Sequence, residues 1–254
     1  MLNIIPIPVL KDNYIWTLHD QLHAVVVDPG DAKPIRAYLD AHQLKLTAIL
    51  CTHHHHDHTG GVSELAQVYN VPVYGPQHEN IPRISHRLGE GDVVELHELN
   101  IRLDVIDIPG HTRGHIGFVG AGGVFCGDTL FGCGCGKLFE GTAAQLLHAL
   151  KRLAELPDET KVYCGHEYTE GNIRFALACE PFNAQLKQRQ TDTRALRAAG
   201  QPTLPSTIAM EKATNPFLRC NMPDVIAAVQ RAAQIQQADE ISIFTALRTW
   251  KDSF

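Results

Sequence analysis

The tract Thr52-His53-His54-His55-His56-Asp57-His58-Thr59-Gly60-Gly61 follows directly on the apolar run Ala48-Ile49-Leu50-Cys51. The run reads as a strand, so the tract is the loop that leaves it. Alternate residues of a chain leaving a strand point the same way. His53 and His55 therefore converge on one position, while Asp57 and His58 turn toward a second. The H-x-H-x-D-H arrangement joins imidazole nitrogens to a carboxylate, a donor set that suits zinc and also iron or manganese. A histidine tag or a low-complexity surface tract is the bland alternative. Neither belongs between a buried strand and a Gly-Gly lead into a helix.

One such loop holds too few ligands for two ions, and the chain repeats the device. Ile108-Pro109-Gly110-His111 follows a predicted strand at 101–107, Cys126-Gly127-Asp128-Thr129 follows 124–126, and Cys164-Gly165-His166-Glu167 follows 161–164. A glycine directly before each donor allows a sharp turn and close backbone approach. A lone His or Asp behind a strand is more often a cap or turn residue, but four such loops in one chain reverse that reading.

Further strands are predicted at 4–9, 14–18, 24–27, 48–51, 71–74, 93–95 and 116–119, from β-branched content and turn flanks. Helices are predicted at 33–42, 62–69 and 143–156, the last burying Leu146, Leu150 and Leu153 on one face before Pro157 ends it. This is an α/β pattern. From Gly171 onward Ala, Gln, Leu and Arg dominate and favour helix. The segment 200–205 (GQPTLP) breaks that region, Ser206 is the expected N-cap of the next helix, and 184–199 reads as a solvated helix face.

The chain has 254 residues with 22 Lys+Arg against 28 Asp+Glu, net charge −6. That length buries a full core in one large domain, or in one domain with an appendage. No stretch approaches the roughly 18 apolar residues of a membrane span, and the opening MLNIIPIPVL lacks the basic region of a signal peptide. A mildly acidic chain is a poor general partner for nucleic-acid phosphates. Seven scattered cysteines make an unpromising disulfide framework and point to a reducing, cytoplasmic setting.

These motifs together resemble the metallo-β-lactamase superfamily, and within it the glyoxalase II (hydroxyacylglutathione hydrolase) family. The likeness rests on the tract at 52–61, on Asp12-Asn13-Tyr14-Ile15-Trp16, Val27-Asp28-Pro29-Gly30-Asp31, Gly134-Cys135-Gly136-Lys137-Leu138-Phe139-Glu140-Gly141-Thr142, Asn215-Pro216-Phe217-Leu218-Arg219 and the ending Leu247 to Phe254. It implies an αββα sandwich with a C-terminal α-helical subdomain: a metal-binding catalytic domain at 1–167 and a helical substrate-binding domain at 168–254. It also implies two divalent ions per chain, zinc foremost and iron or manganese possible from the donors. His53, His55 and His111 are expected on the first, Asp57, His58 and His166 on the second, and Asp128 bridging. His54 and His56 then point away, and His115 is a core or supporting histidine.

The implied activity is thioester hydrolysis of S-(2-hydroxyacyl)glutathione, S-D-lactoylglutathione in particular, to glutathione and D-lactate, the second step of methylglyoxal detoxification. A water shared by the ions, acidified from about 15.7 toward about 7, supplies the hydroxide nucleophile, and Asp57 helps to orient it. Lys137, Tyr168, Arg248 and Lys251 are the implied glutathione contacts, the last two at i, i+3 on the final predicted helix. Relatives can carry Tyr where this chain has Phe139. Cys133 and Cys135 read as inert loop residues rather than as a soft-metal pair. A monomer acting on a small molecule, without nucleic acid or membrane, is expected. The rival readings are a mononuclear-iron persulfide dioxygenase, a lactonase or a β-lactamase of the same fold, a nucleic-acid-processing member, and a non-catalytic metal buffer.

Overall fold

A computed structural model describes residues 2–236 and 239–254. The chain forms two compact units, one of residues 1–107 with 114–127 and one of 108–113 with 128–254.

The first unit contains a six-stranded sheet in the order β1 (Asn3–Val9), β2 (Asn13–His19), β3 (His23–Val27), β4 (Lys45–Leu50), β5 (Val73–Pro76), β6 (His86–Leu88). Pro6 and Pro8 lie in β1, an edge strand, where a missing amide donor is tolerated. The pairings β3 to β4 and β4 to β5 are parallel, and Val25, Val26, Ile49 and Leu50 are fully buried. Such continuous apolar runs are what parallel strands covered on both faces require. Helices α1 (Ala32–His42) and α3 (Val62–Tyr69) contribute Ile35, Leu39 and Leu65 to the core beside Ile15, Val26 and Ile49. Between them the single-turn α2 (His56–Thr59) interrupts the donor tract. The same unit holds β7 (Val93–Leu96), β8 (Ile101–Asp107), β9 (Ile116–Gly120) and β10 (Gly123–Gly127), neighbours in the order β10-β9-β8-β7 and antiparallel throughout.

The second unit opens with a small hairpin, β11 (Leu130–Phe131) and β12 (Gly134–Cys135). Helix α4 (Ala143–Ala154) starts at a capping box between Thr142 and Gln145 and buries Leu146, Leu150 and Leu153 completely. Strands β13 (Lys161–Cys164) and β14 (Ser206–Thr207) pair antiparallel. The remaining helices are α5 (Thr169–Cys179), α6 (Ala184–Ala198), α7 (Ile208–Thr214), α8 (Pro223–Ala233) and α9 (Glu240–Ser253). Phe217 packs between Phe175 and Phe244 at centroid distances of 6.1 and 5.9 Å, all three fully buried.

The predicted strands and helices are present, those at 62–69, 101–107 and 161–164 with the expected bounds and the others with shifted ends, and four short strands, β6, β11, β12 and β14, escape periodicity because two or three residues carry none. Two expectations are corrected. Ser206 is a strand residue opposite Val162, and Thr207 caps α7 by accepting from the Met210 amide. The tract 184–199 is helical but not wholly solvated, since Leu186, Arg189 and Thr193 are buried on one side of α6.

Candidate metal centre and substrate pocket

In the first unit the donors leave the carboxyl end of β4, where open α/β sheets place their ligands. His53 is fully buried. Its Nε2 lies 3.2 Å from Nδ1 of His55. Two nitrogens each about 2.1 Å from a tetrahedral ion lie about 3.4 Å apart, so this spacing fits two ligands of one metal. The extended backbone at His55 (φ −58, ψ 144) then turns into α2, which carries Asp57 and His58. His58 Nε2 stands 3.6 Å from Asp57 Oδ2. The tract thus delivers the two pairs expected from alternation, the second by a helical turn rather than by extended chain.

Residues that sequence reasoning left without a role hold these donors. Asp28, at the end of β3, accepts from the Thr52 amide (2.7 Å) and hydroxyl (2.7 Å), and lies 3.1 Å from His58 Nδ1. The Thr52 hydroxyl in turn meets His53 Nδ1 at 3.1 Å. One carboxylate therefore orients both rings and directs each Nε2 outward, the usual service of a partner behind a metal ligand. Asn13 donates to Asp57 Oδ2 at 3.0 Å and to the Asp57 carbonyl at 3.3 Å. His115 is buried and stacks on the His53 ring at 4.6 Å, matching its expected supporting part. His54 Nδ1 lies 3.0 Å from Glu79 Oε2, and His56 is exposed. Asp28 and Asn13 lie in segments that carry the family likeness, whereas Glu79 carries no local signal.

In the second unit Asp128 Oδ2 lies 3.4 Å from His111 Nε2 and 3.3 Å from His166 Nε2. A carboxylate between two imidazoles is the arrangement a bridging ligand needs. The Lys137 carbonyl sits 2.9 Å from His111 Nδ1, which frees Nε2 for an ion. Gly110 (φ +151) and Gly127 (φ +47) occupy backbone conformations that favour glycine, as the sequence suggests; among the described residues Gly165 is not one of the positive-φ glycines. A Cβ at Gly127 would meet the Thr52 hydroxyl at 2.2 Å. The nitrogen and carboxylate donors of both units fit divalent metal ions of the zinc, iron and manganese class.

The four residues expected to meet glutathione line one cavity of about 410 Å³ in the second unit: Lys137, Tyr168, Arg248 and Lys251, with Phe131, Cys135, Glu167, Gly171 and Asn172. That volume suits a small ligand. Tyr168 stacks on His166 with centroids 4.6 Å apart and planes 5° from parallel, so the cavity wall is continuous with a candidate metal donor. Lys251 stands 5.3 Å over the Phe175 ring. Burial, then the charges of Arg248 and Arg174, hold its pKa below the usual lysine value. Arg248 is buried; it donates to the Cys135 carbonyl at 2.9 Å and pairs with Asp252 at 3.0 Å. Its Nε has no hydrogen-bond partner among the described residues. From residue 168 to the end, ten Lys/Arg outnumber eight Asp/Glu in an otherwise acidic chain. Phe139 is exposed and edge-on to His111 at 5.2 Å. Cys133 and Cys135 are buried, and burial pushes their thiols up to about 12 and about 11, so both stay protonated and inert.

Comparison with known proteins gives a consistent result. Residues 14–166 match the metallo-beta-lactamase superfamily, and residues 167–254 match the family described as hydroxyacylglutathione hydrolase C-terminus. The hydroxyacylglutathione hydrolase of Nitrosomonas europaea is 52% identical over 254 residues, covering 100% of this chain and 97% of that protein. That of Aliivibrio salmonicida is 52% identical, with 100% of both chains covered. Among solved structures, ETHE1 from Myxococcus xanthus shares the fold at TM-score 0.66 and 24% identity, covering 95% of each chain. TTHA1623, solved in a di-iron-bound form, aligns at TM-score 0.60 and 26% identity over 84% of this chain and 100% of that one. With residues 14–254 matched by the two family models and relatives about half identical over the whole chain, this chain is an enzyme of the hydroxyacylglutathione hydrolase family, within the metallo-β-lactamase superfamily.

Proposed function

We propose that the chain hydrolyses S-(2-hydroxyacyl)glutathiones, S-D-lactoylglutathione above all, to glutathione and a 2-hydroxy acid. The observation that carries this reading is the cavity in which Lys137, Tyr168, Arg248 and Lys251 meet beside His166. Glutathione is a peptide with carboxylates at both ends, and this cavity concentrates positive charge where the rest of the chain is acidic. His53, His55 and His111 would hold one ion, Asp57, His58 and His166 a second, and Asp128 both. Such a pair of ions acidifies a water and polarises a carbonyl. In this reading residues 1–167 carry the chemistry and 168–254 the recognition.

The chain's own residues account for the rest. Asp28 and the Lys137 carbonyl hold imidazoles in the tautomers that direct Nε2 at the reacting centre. Asp57, steadied by Asn13, accepts a hydrogen bond from the nucleophile and aims it. Lys251 and Arg248 draw in the peptide carboxylate, and the Tyr168 hydroxyl donates to the peptide. A thiolate with pKa near 8.5 leaves without a general acid, and this reading assigns none.

The resident metal we propose is zinc, with iron or manganese compatible with the same donors. Seven buried free cysteines support a reducing cytoplasmic setting. No described helix is long and apolar enough to cross a membrane. We propose a monomer that binds a small molecule and neither nucleic acid nor membrane. The test is hydrolysis of S-D-lactoylglutathione by metal-replete protein, with metal content measured on the same sample. Turnover with close to two ions per chain supports the reading. A filled site without turnover retains the family and rejects the substrate.

A further inference from the structure

One histidine of the 53–58 tract lies outside the proposed ligand set yet is held from behind. His54 Nδ1 is 3.0 Å from Glu79 Oε2, and the Glu79 side chain is only 3% exposed. The other carboxylate oxygen, Oε1, accepts from the Gly114 amide at 3.1 Å. Gly114 leads directly to His115, whose ring stacks on His53. A single buried carboxylate thus touches both the donor tract and the segment packed against its first donor, all within the first unit.

The contact is built rather than incidental. A Cβ at Gly114 would lie 2.6 Å from Glu79 Cγ, so a glycine is needed for the carboxylate to come this close. The backbone bearing Glu79 is itself tied down, since Arg87 Nη1 donates to the carbonyls of Gln77 (3.3 Å) and Glu79 (3.4 Å). A carboxylate withdrawn from water persists where ring and amide N–H groups satisfy it.

We propose that Glu79 is a positioning residue for the metal site. The His54 and His55 rings meet edge-on at 5.0 Å, and those of His55 and His53 at 4.8 Å, so anchoring His54 limits where the His55 ring can stand against His53. Their nitrogens are thereby kept at the 3.2 Å spacing that one ion requires. This inference rests on the reading of residues 53–58 as metal donors. It adds the element that holds them: a glutamate from the β5–β6 connection, distant in sequence from every ligand.

The experiment compares wild type, Glu79→Gln and His54→Ala. Zn²⁺ affinity is measured by competition with a chromophoric chelator, alongside the melting temperature of the metal-free protein and steady-state kinetics on S-D-lactoylglutathione. Glu79→Gln is expected to weaken Zn²⁺ binding roughly ten- to a hundredfold, to lower kcat at unchanged KM, and to move the metal-free melting temperature by less than about 3 °C. His54→Ala, at a partly exposed position, reproduces the affinity loss, and the double variant loses no more. Unchanged affinity in Glu79→Gln overturns the proposal, as does a loss that His54→Ala fails to reproduce. Wild-type protein that binds two ions and turns over while Glu79→Gln matches it overturns Glu79 alone. Wild-type protein that binds no metal overturns the thioesterase reading with it.

Discussion

Asp128 stands within 3.4 Å of two imidazole nitrogens from separate strand ends. A neutral amide in its place offers one weak acceptor where two cations need a charge. Asp128→Asn is therefore expected to lower metal content and kcat together, by at least about tenfold in each; full activity with two metals retained would reject the bridging assignment. Lys251 permits a pH prediction. Burial and the neighbouring arginines lower its pKa, so the ammonium is lost, as pH rises, before an ordinary lysine deprotonates. KM for the anionic thioester should accordingly climb on the alkaline side in wild type and stay flatter in Lys251→Arg, whose guanidinium keeps its charge. Coincident KM profiles would place the carboxylate away from Lys251.

The β11–β12 hairpin shows how the helices serve the site. Asn172 of α5 donates to the Gly132 carbonyl at 3.0 Å, and Glu211 of α7 accepts from the Cys133 amide at 2.8 Å. Asn215 donates to the Gly134 carbonyl at 2.9 Å, and Arg248 of α9 to that of Cys135. The two-residue strands have too few ladder bonds to stand alone, so side chains hold the segment that joins Asp128 to Lys137. Arg248 consequently has a double part, bracing this hairpin and lending charge to the cavity. Arg248→Ala is expected to raise KM for glutathione thioesters by roughly ten- to a hundredfold, the loss of one or two charge-assisted hydrogen bonds, and also to lower the melting temperature. Kinetics and a thermal melt on one preparation check both, and an unchanged KM would move glutathione recognition elsewhere. The i, i+3 spacing of Arg248 and Lys251 was readable in advance, because helical period follows from local pattern. That one is buried and the other half-buried was not, because burial depends on what α9 packs against.

The second unit is pinned by a fully enclosed ion pair. Arg189 bonds Glu211 at 2.6 Å and Thr214 at 2.6 Å, while the other Glu211 oxygen holds the hairpin amide and Asn215. Removing one partner leaves the other charge buried without compensation, so Glu211→Ala should cost about 3–5 kcal/mol, a large share of ordinary stability. Chemical denaturation measures it, and a loss below about 1 kcal/mol would show that Arg189 finds another partner. Arg189, within the 184–199 tract of charges and amides, read as solvated, since no sequence pattern marks which charge will face inward.

The sequence by itself determined the metal-donor chemistry and the order in which strands deliver it. Strand, glycine and ligand are adjacent in the chain, and period two or 3.6 is a local property. Its likeness to a family named the cavity residues as well. Only the tertiary structure decided which carboxylates stand behind the ligands. Asp28 lies 24 residues from Thr52 and 30 from His58, and Glu79 lies 25 from His54. Contacts across such separations arise from how the sheet and its loops close upon one another, and that closure leaves no mark on neighbouring residues.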